Sequence, residues 1–195
     1  MATYIEQGIK LLLITCVGLA GSTIVGLLNY GSDVFIPANP GFMFISFGLS
    51  GAFIFAFYHV RGLSETITTA VVVSAVQFAI STAYIPVLNA GIWSFGVNMP
   101  VVVLAFVFER KLATLKHLKF IVVSLVYGAM FVLLTLLVAL LTDISTLPAP
   151  VFRQNFMDGI WIGLGLGIGI EGAEALVHSL EQHAFRHQPP VEKHA

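Results

Sequence analysis

The chain has 195 residues, of which 57% are hydrophobic and only 10% charged, with a net charge of −1. A soluble domain carries roughly 25% charged residues, so this composition excludes an ordinary water-soluble fold and points to the membrane class. The near-zero net charge gives no bulk attraction to nucleic acid, and a lone Cys16 excludes an intramolecular disulfide.

A helix crossing about 30 Å of hydrocarbon needs about 20 apolar residues. The first such stretch is Gly8–Leu28. Lys10 followed by "LLLITCVGLAGS" has the positive–apolar–small order of a cleavable signal. Thr15 stands where a smaller residue is usual and the run continues to Leu28, so a retained first helix is expected. Gly41–Tyr58, rich in phenylalanine, is the second stretch and Thr66–Leu88 the third. Gly91–Phe108, shorter and holding Asn98 and Pro100, is the fourth; Phe120–Leu141 is the fifth and Gly159–Leu176 the sixth. The expectation is an all-α, polytopic bundle of six transmembrane helices. It forms a single domain over 1–180, followed by a disordered cytoplasmic tail over 181–195.

Lys and Arg favour cytoplasmic loops. Lys10, Arg61, Arg110, Lys111, Lys116, Lys119, Arg186 and Lys193 all fall on one side of a six-span chain, against Arg153 alone on the other. That bias places both termini in the cytoplasm and suits a bacterial inner membrane. Pro37 and Pro40, Pro100, and Pro148 and Pro150 mark the outer loops near the starts of even-numbered spans, where a missing N–H costs nothing. Between spans four and five, "ERKLATLKHLK" (109–119) spaces leucines three apart among basic residues. It reads as a short helix in the inner headgroup layer, or as a docking helix.

Span six opens "GIWIGLGLGIGIEGAEA". Helices in lipid associate through close van der Waals contact, which small residues permit. Gly159, Gly163 and Gly167 follow one i, i+4 ridge and Gly165 and Gly169 another, which predicts a central helix approached by two neighbours. Over about ten residues the run resembles the glycine-repeat helix of rotary ATP synthase c-subunits. Six spans do not match that two-helix hairpin, so the resemblance implies close packing alone. Gly18, Ser22 and Gly26 give span one a weaker version, a face for a membrane-protein partner or second copy.

Glu171 follows the glycines, with Glu174, His178 and Glu181 on the same helical face. A carboxylate–histidine face could carry a proton or an ion. The plainer expectation is a helix leaving the membrane with solvated acids, because charge inside hydrocarbon costs about 2.5–3.5 kcal/mol. Likewise His183 and His187 read as tail residues rather than a metal pair. Gln77 lies alone in span three, suited to an interhelical hydrogen bond or to lining a path. Asn98 could interrupt span four, and Trp93 and Trp161 read as interface anchors. Arg153, near Asp143 and Asp158, reads as half of a local ion pair or as a ligand anchor.

Clustered ionisable residues, haem-type histidine pairs across the bilayer and phosphate-binding glycine loops are missing, so no enzyme, metal or cofactor is expected. The span count, chain length and proline-marked outer loops resemble the substrate-binding subunits of energy-coupling-factor importers. That architecture implies a small-molecule transport component, whose outer loops close over a ligand. Trp93, Asn98, Arg153 and Gln77 are then the candidate ligand-binding residues. A non-catalytic scaffold subunit is the alternative, and a proton or ion path through Glu171 a third.

Overall fold

The computed structural model describes the backbone of residues 2–37, 39–110, 119–142 and 148–186, and side chains over 4–37, 39–99, 120–142 and 148–180. It is all-helical: α1 (Ala2–Tyr30), a 3-10 turn (Gly31–Phe35), α2 (Phe42–Arg61), α3 (Leu63–Ser81), α4 (Val87–Arg110), α5 (Lys119–Leu141) and α6 (Ala149–Arg186). Among the described residues, five helices (all but α4) are long and apolar enough to cross a membrane. Their outer surface is apolar: Leu28 is 81% and Leu140 77% exposed. Water would penalise such a surface and lipid does not, so this is a membrane-embedded protein.

Several boundaries differ from the sequence expectation. α3 stops at Ser81 rather than Leu88, and α4 begins at Val87 rather than Gly91. The cause is Pro86: it has no N–H to donate, and it biases Ile85 away from helical backbone. The chain therefore turns over Thr82–Ile85. Pro100 consequently sits inside α4 and not at its start. α6 runs 38 residues, from Ala149 to Arg186, or ~57 Å at about 1.5 Å per residue. Pro148 and Pro150 fit its first turn. Residues 181–186, expected in a disordered tail, are helical. Residues 187–195 and most of the 109–119 segment lie outside the described residues.

The helices form a ring in chain order, with α6 closing onto α1. Inside the ring α2 touches α1, α3, α4 and α6. Its side chains Phe44, Ala52, Ile54 and Ala56 are fully buried. α2 is thus a central helix, and α6, expected to be approached by two neighbours, is packed between α1 and α5. α2 owes its place to its own small residues. A Cβ on Gly48 would collide with Ser22 Cβ at 2.5 Å, and one on Gly51 with the Tyr127 hydroxyl at 2.9 Å. A single residue, Gly62, links α2 to α3 at φ 84°, in the left-handed region that glycine enters freely.

α6 lies between α1 and α5 and presents a different glycine ridge to each. A Cβ on Gly159 would meet Tyr127 O at 2.5 Å and Gly128 Cα at 2.9 Å; on Gly163, Ser124 Cα at 2.7 Å; on Gly167, Phe120 Cα at 2.6 Å. That is the α5 seam. A Cβ on Gly165 would meet Ser22 Cα at 2.7 Å, and on Gly169, Gly18 Cα at 2.6 Å; Gly21 lies against the Gly165 carbonyl. That is the α1 seam. In both, rising numbers on one helix meet falling numbers on the other, so the helices are antiparallel and the start of α1 lies beside the end of α6.

Candidate functional site

Gly18, Ser22 and Gly26 do not form a free face. They pack inside the chain against α2: Gly18 faces Ala52, Ser22 faces Gly48 and Gly26 faces Phe44. Ser22 Oγ also donates to Phe44 O at 2.6 Å. The small residues of α1 are thus consumed by α2 and α6, because two helices need that closeness on the same stretch.

Gln77 and Asn98 come together across α2, α3 and α4. Asn98, fully buried, donates from Nδ2 to Gln77 Oε1 at 2.6 Å and to Ser74 Oγ at 3.3 Å. It accepts from Ser50 Oγ at 2.7 Å, and Gln77 Nε2 donates to Ser46 Oγ at 2.6 Å. Both the oxygen and the nitrogen of each amide are bonded, so neither long polar side chain in this clasp is left without a partner. Asn98 does not interrupt α4; it ties α4 to α2 and α3.

Above the clasp, toward the ends where α1 and α3 finish and α2, α4 and α6 begin, lies a cavity of about 580 Å³. Ser46 joins the two, since it lines the cavity and accepts from Gln77. The α1–α2 loop supplies Pro37, Asn39 and Pro40; α2 supplies Phe42, Met43 and Phe47. Ile80, Ser81, Tyr84 and Ile85 come from the end of α3 and its turn, and Trp93 from α4. Tyr30 from α1 and Gln154, Asn155 and Asp158 from α6 complete the wall.

The polar side of that wall is held rigidly. Tyr30 Oη donates to Asp158 Oδ1 at 2.8 Å, and Gln154 Nε2 donates to the same oxygen at 3.0 Å. Gln154 sits four residues before Asp158, one helical turn away. Asn155 Nδ2 donates to Thr135 Oγ1 of α5 at 2.8 Å. Tyr30 rests on Phe44 with ring centroids 5.7 Å apart. Asn39 shapes the loop: its Oδ1 accepts from Gly41 N at 2.9 Å and its Nδ2 donates to Asp33 at 3.3 Å. Asp158, although an ionisable acid, is only 4% exposed.

Of the four expected ligand residues, Trp93 lines the cavity, Gln77 and Asn98 lie one contact below it, and Arg153 is exposed and not part of its lining. Trp93 packs edge-on against Phe131 at 4.9 Å. Trp161 likewise packs on the core, since α6 starts twelve residues before it, at Ala149. Asp158 bonds Tyr30 and Gln154 rather than pairing with Arg153; Asp143 lies outside the described residues. The sequence reading missed Tyr30, Gln154 and Asn155. The available signal was Asp158 itself, an acid directly before the glycine ridge, with Gln154 one turn earlier.

At the opposite end, the acids of α6 are engaged separately. Glu171 is half-buried, and its Oε1 accepts Phe120 N–H at 3.1 Å, in the first turn of α5. The first N–H groups of a helix have no intrahelical acceptor, and a carboxylate there also meets the positive end of the helix dipole. Glu171 therefore does not simply face solvent; it caps a neighbouring helix. Glu174 Oε1 meets His59 Nε2 of α2 at 3.1 Å. His178 is exposed. Among the described residues no group of three His, Cys, Asp or Glu side chains could hold a metal ion.

No family model, curated protein or solved structure matches this chain. The functional argument therefore rests on the geometry.

Proposed function

We propose that the protein is the small-molecule-binding component of a transport system in a bacterial inner membrane, with six spans, both termini in the cytoplasm and no catalysis of its own. The observation that carries this reading is the 580 Å³ cavity with one buried acid in its wall. Ligand sites are concave, mostly apolar and furnished with a few fixed polar groups; Tyr30, Gln154 and Asp158 are such a set. The cavity lies at the end away from the Lys- and Arg-bearing loops, which the positive-inside rule assigns to the cytoplasm. It therefore opens to the outside, where an importer captures its cargo. A membrane-protein partner or second copy would complete transport, and it meets a face other than Gly18, Ser22 and Gly26.

Mild detergent purification followed by native mass spectrometry tests this. The expected result is a small molecule bound to the wild type and absent from Ser81→Trp, which fills the cavity. The scaffold reading gains from the self-satisfied clasp, which offers no polar path through the bundle. A wild type that carries no ligand but retains a co-purifying protein would establish that alternative.

A further inference from the structure

We propose that the cavity takes an organic ammonium, an amine or quaternary nitrogen carried on a small apolar body; this rests on the ligand-binding reading above. Among the described residues of the lining, Asp158 alone is formally charged, and it is 4% exposed. Among the described residues no Lys, Arg or His shares the wall with it. A carboxylate withdrawn from water is costly unless a counter-charge or strong donors meet it. The two donors present, Tyr30 and Gln154, are neutral and both reach Oδ1. Among the described residues no donor reaches Oδ2, so that oxygen keeps its acceptor capacity for a ligand.

The rest of the wall suits the same chemistry. Tyr30, Phe42, Phe47, Tyr84 and Trp93 bring aromatic rings to one cavity. Aromatic faces attract cations, tryptophan most strongly, and more so where water is excluded. An anion would meet Asp158 with nothing positive to offset it. A neutral molecule would fill the apolar space and leave the acid without a counter-charge. The 580 Å³ volume is that of a site for one small organic molecule.

Purified full-length protein in a Trp161→Phe background, read by Trp93 fluorescence, tests the assignment. The probes are phenethylammonium, its neutral counterpart 2-phenylethanol, and phenylacetate. Phenethylammonium should bind about tenfold or more tightly than the alcohol, a difference of about 1.4 kcal/mol, and phenylacetate should not bind. Asp158→Asn should bring ammonium and alcohol to equal affinity, whereas Tyr30→Phe, which keeps the carboxylate, should preserve the preference. Ser81→Lys places a competing ammonium in the lining without touching Asp158, and it should also abolish the preference; it decides the matter if Asp158→Asn does not fold. Equal wild-type binding of ammonium and alcohol, or a preference that survives these substitutions, overturns the ammonium assignment and leaves the cavity as a ligand site. Silence of Trp93 toward all three probes overturns both. A lipid amine headgroup offers the same nitrogen as a free amine. Displacement of the probe by phosphatidylethanolamine but not phosphatidylglycerol assigns the headgroup, and indifference to both lipids assigns a free amine.

Discussion

The two sides of the bundle are held together by opposite means. On the α1–α6–α5 side, backbones approach so closely that a methyl group on Gly163 would lie 2.7 Å from Ser124 Cα. On the α2–α3–α4 side, polar side chains reach across the gap, with Asn98 bonded to Ser50, Ser74 and Gln77. Lipid gives helices little hydrophobic reason to associate, so contact area and hydrogen bonds must supply it. The first side tolerates no atom added, and the second no atom removed. The cavity sits where they meet: α6 brings Asp158 from the glycine side, and Ser46 joins its wall to the clasp.

The largest effect is expected at the seam. Gly163→Leu should abolish the monodisperse folded protein, and Gly163→Ala should cost about 3 kcal/mol, the upper range for overpacking. Thermal unfolding in detergent measures both. Unchanged stability would show that α6 can move off α5 freely. Removing the clasp should cost less. Asn98→Leu deletes its bonds to three partners, and at about 0.6 kcal/mol each the expected loss is about 2 kcal/mol. Ser50→Ala, which takes away one of those bonds, should lower stability by about a third as much.

The cap comes next. Glu171→Ala removes the acceptor for Phe120 N–H and should cost about 1 kcal/mol, while Glu171→Gln keeps an acceptor oxygen and should cost less. A loss of function with full stability in Glu171→Gln would instead revive a proton role. The smallest effect sharpens the comparison from inside the core. Tyr127 Oη is buried with no partner among the described residues and lies beside Gly51. An unsatisfied buried hydroxyl costs free energy, so Tyr127→Phe should be neutral or stabilise by up to about 1 kcal/mol, read as a small rise in the unfolding temperature.

The sequence made the helices legible because hydrocarbon thickness demands long apolar runs, and five of them meet that test in the structure. It misplaced the junction of α3 and α4 because hydrophobic residues continue past Ser81, and only Pro86 marks the turn. Glycine spacing along α6 is visible in the sequence, but the residues it faces, Ser124 on one side and Gly18 on the other, come from distant segments. Gln77 and Asn98 are each conspicuous as polar residues in apolar runs; their mutual bond is not. The cavity is the least legible feature. Its wall is assembled from the ends of separate helices, and Tyr30 and Gln154 become meaningful only once α1 and α6 bring them to Asp158.

The most direct test of the central claim, a ligand cavity open to the outside, is cysteine labelling in intact cells. In a Cys16→Ala background, Tyr84→Cys places one thiol at a lining position that is 53% exposed in the wild type, and Ser64→Cys places one at an exposed position at the other end of α3. A membrane-impermeant maleimide should label position 84 without permeabilisation and position 64 only after it. Labelling of position 64 from outside, with position 84 protected until the membrane is opened, would contradict the account.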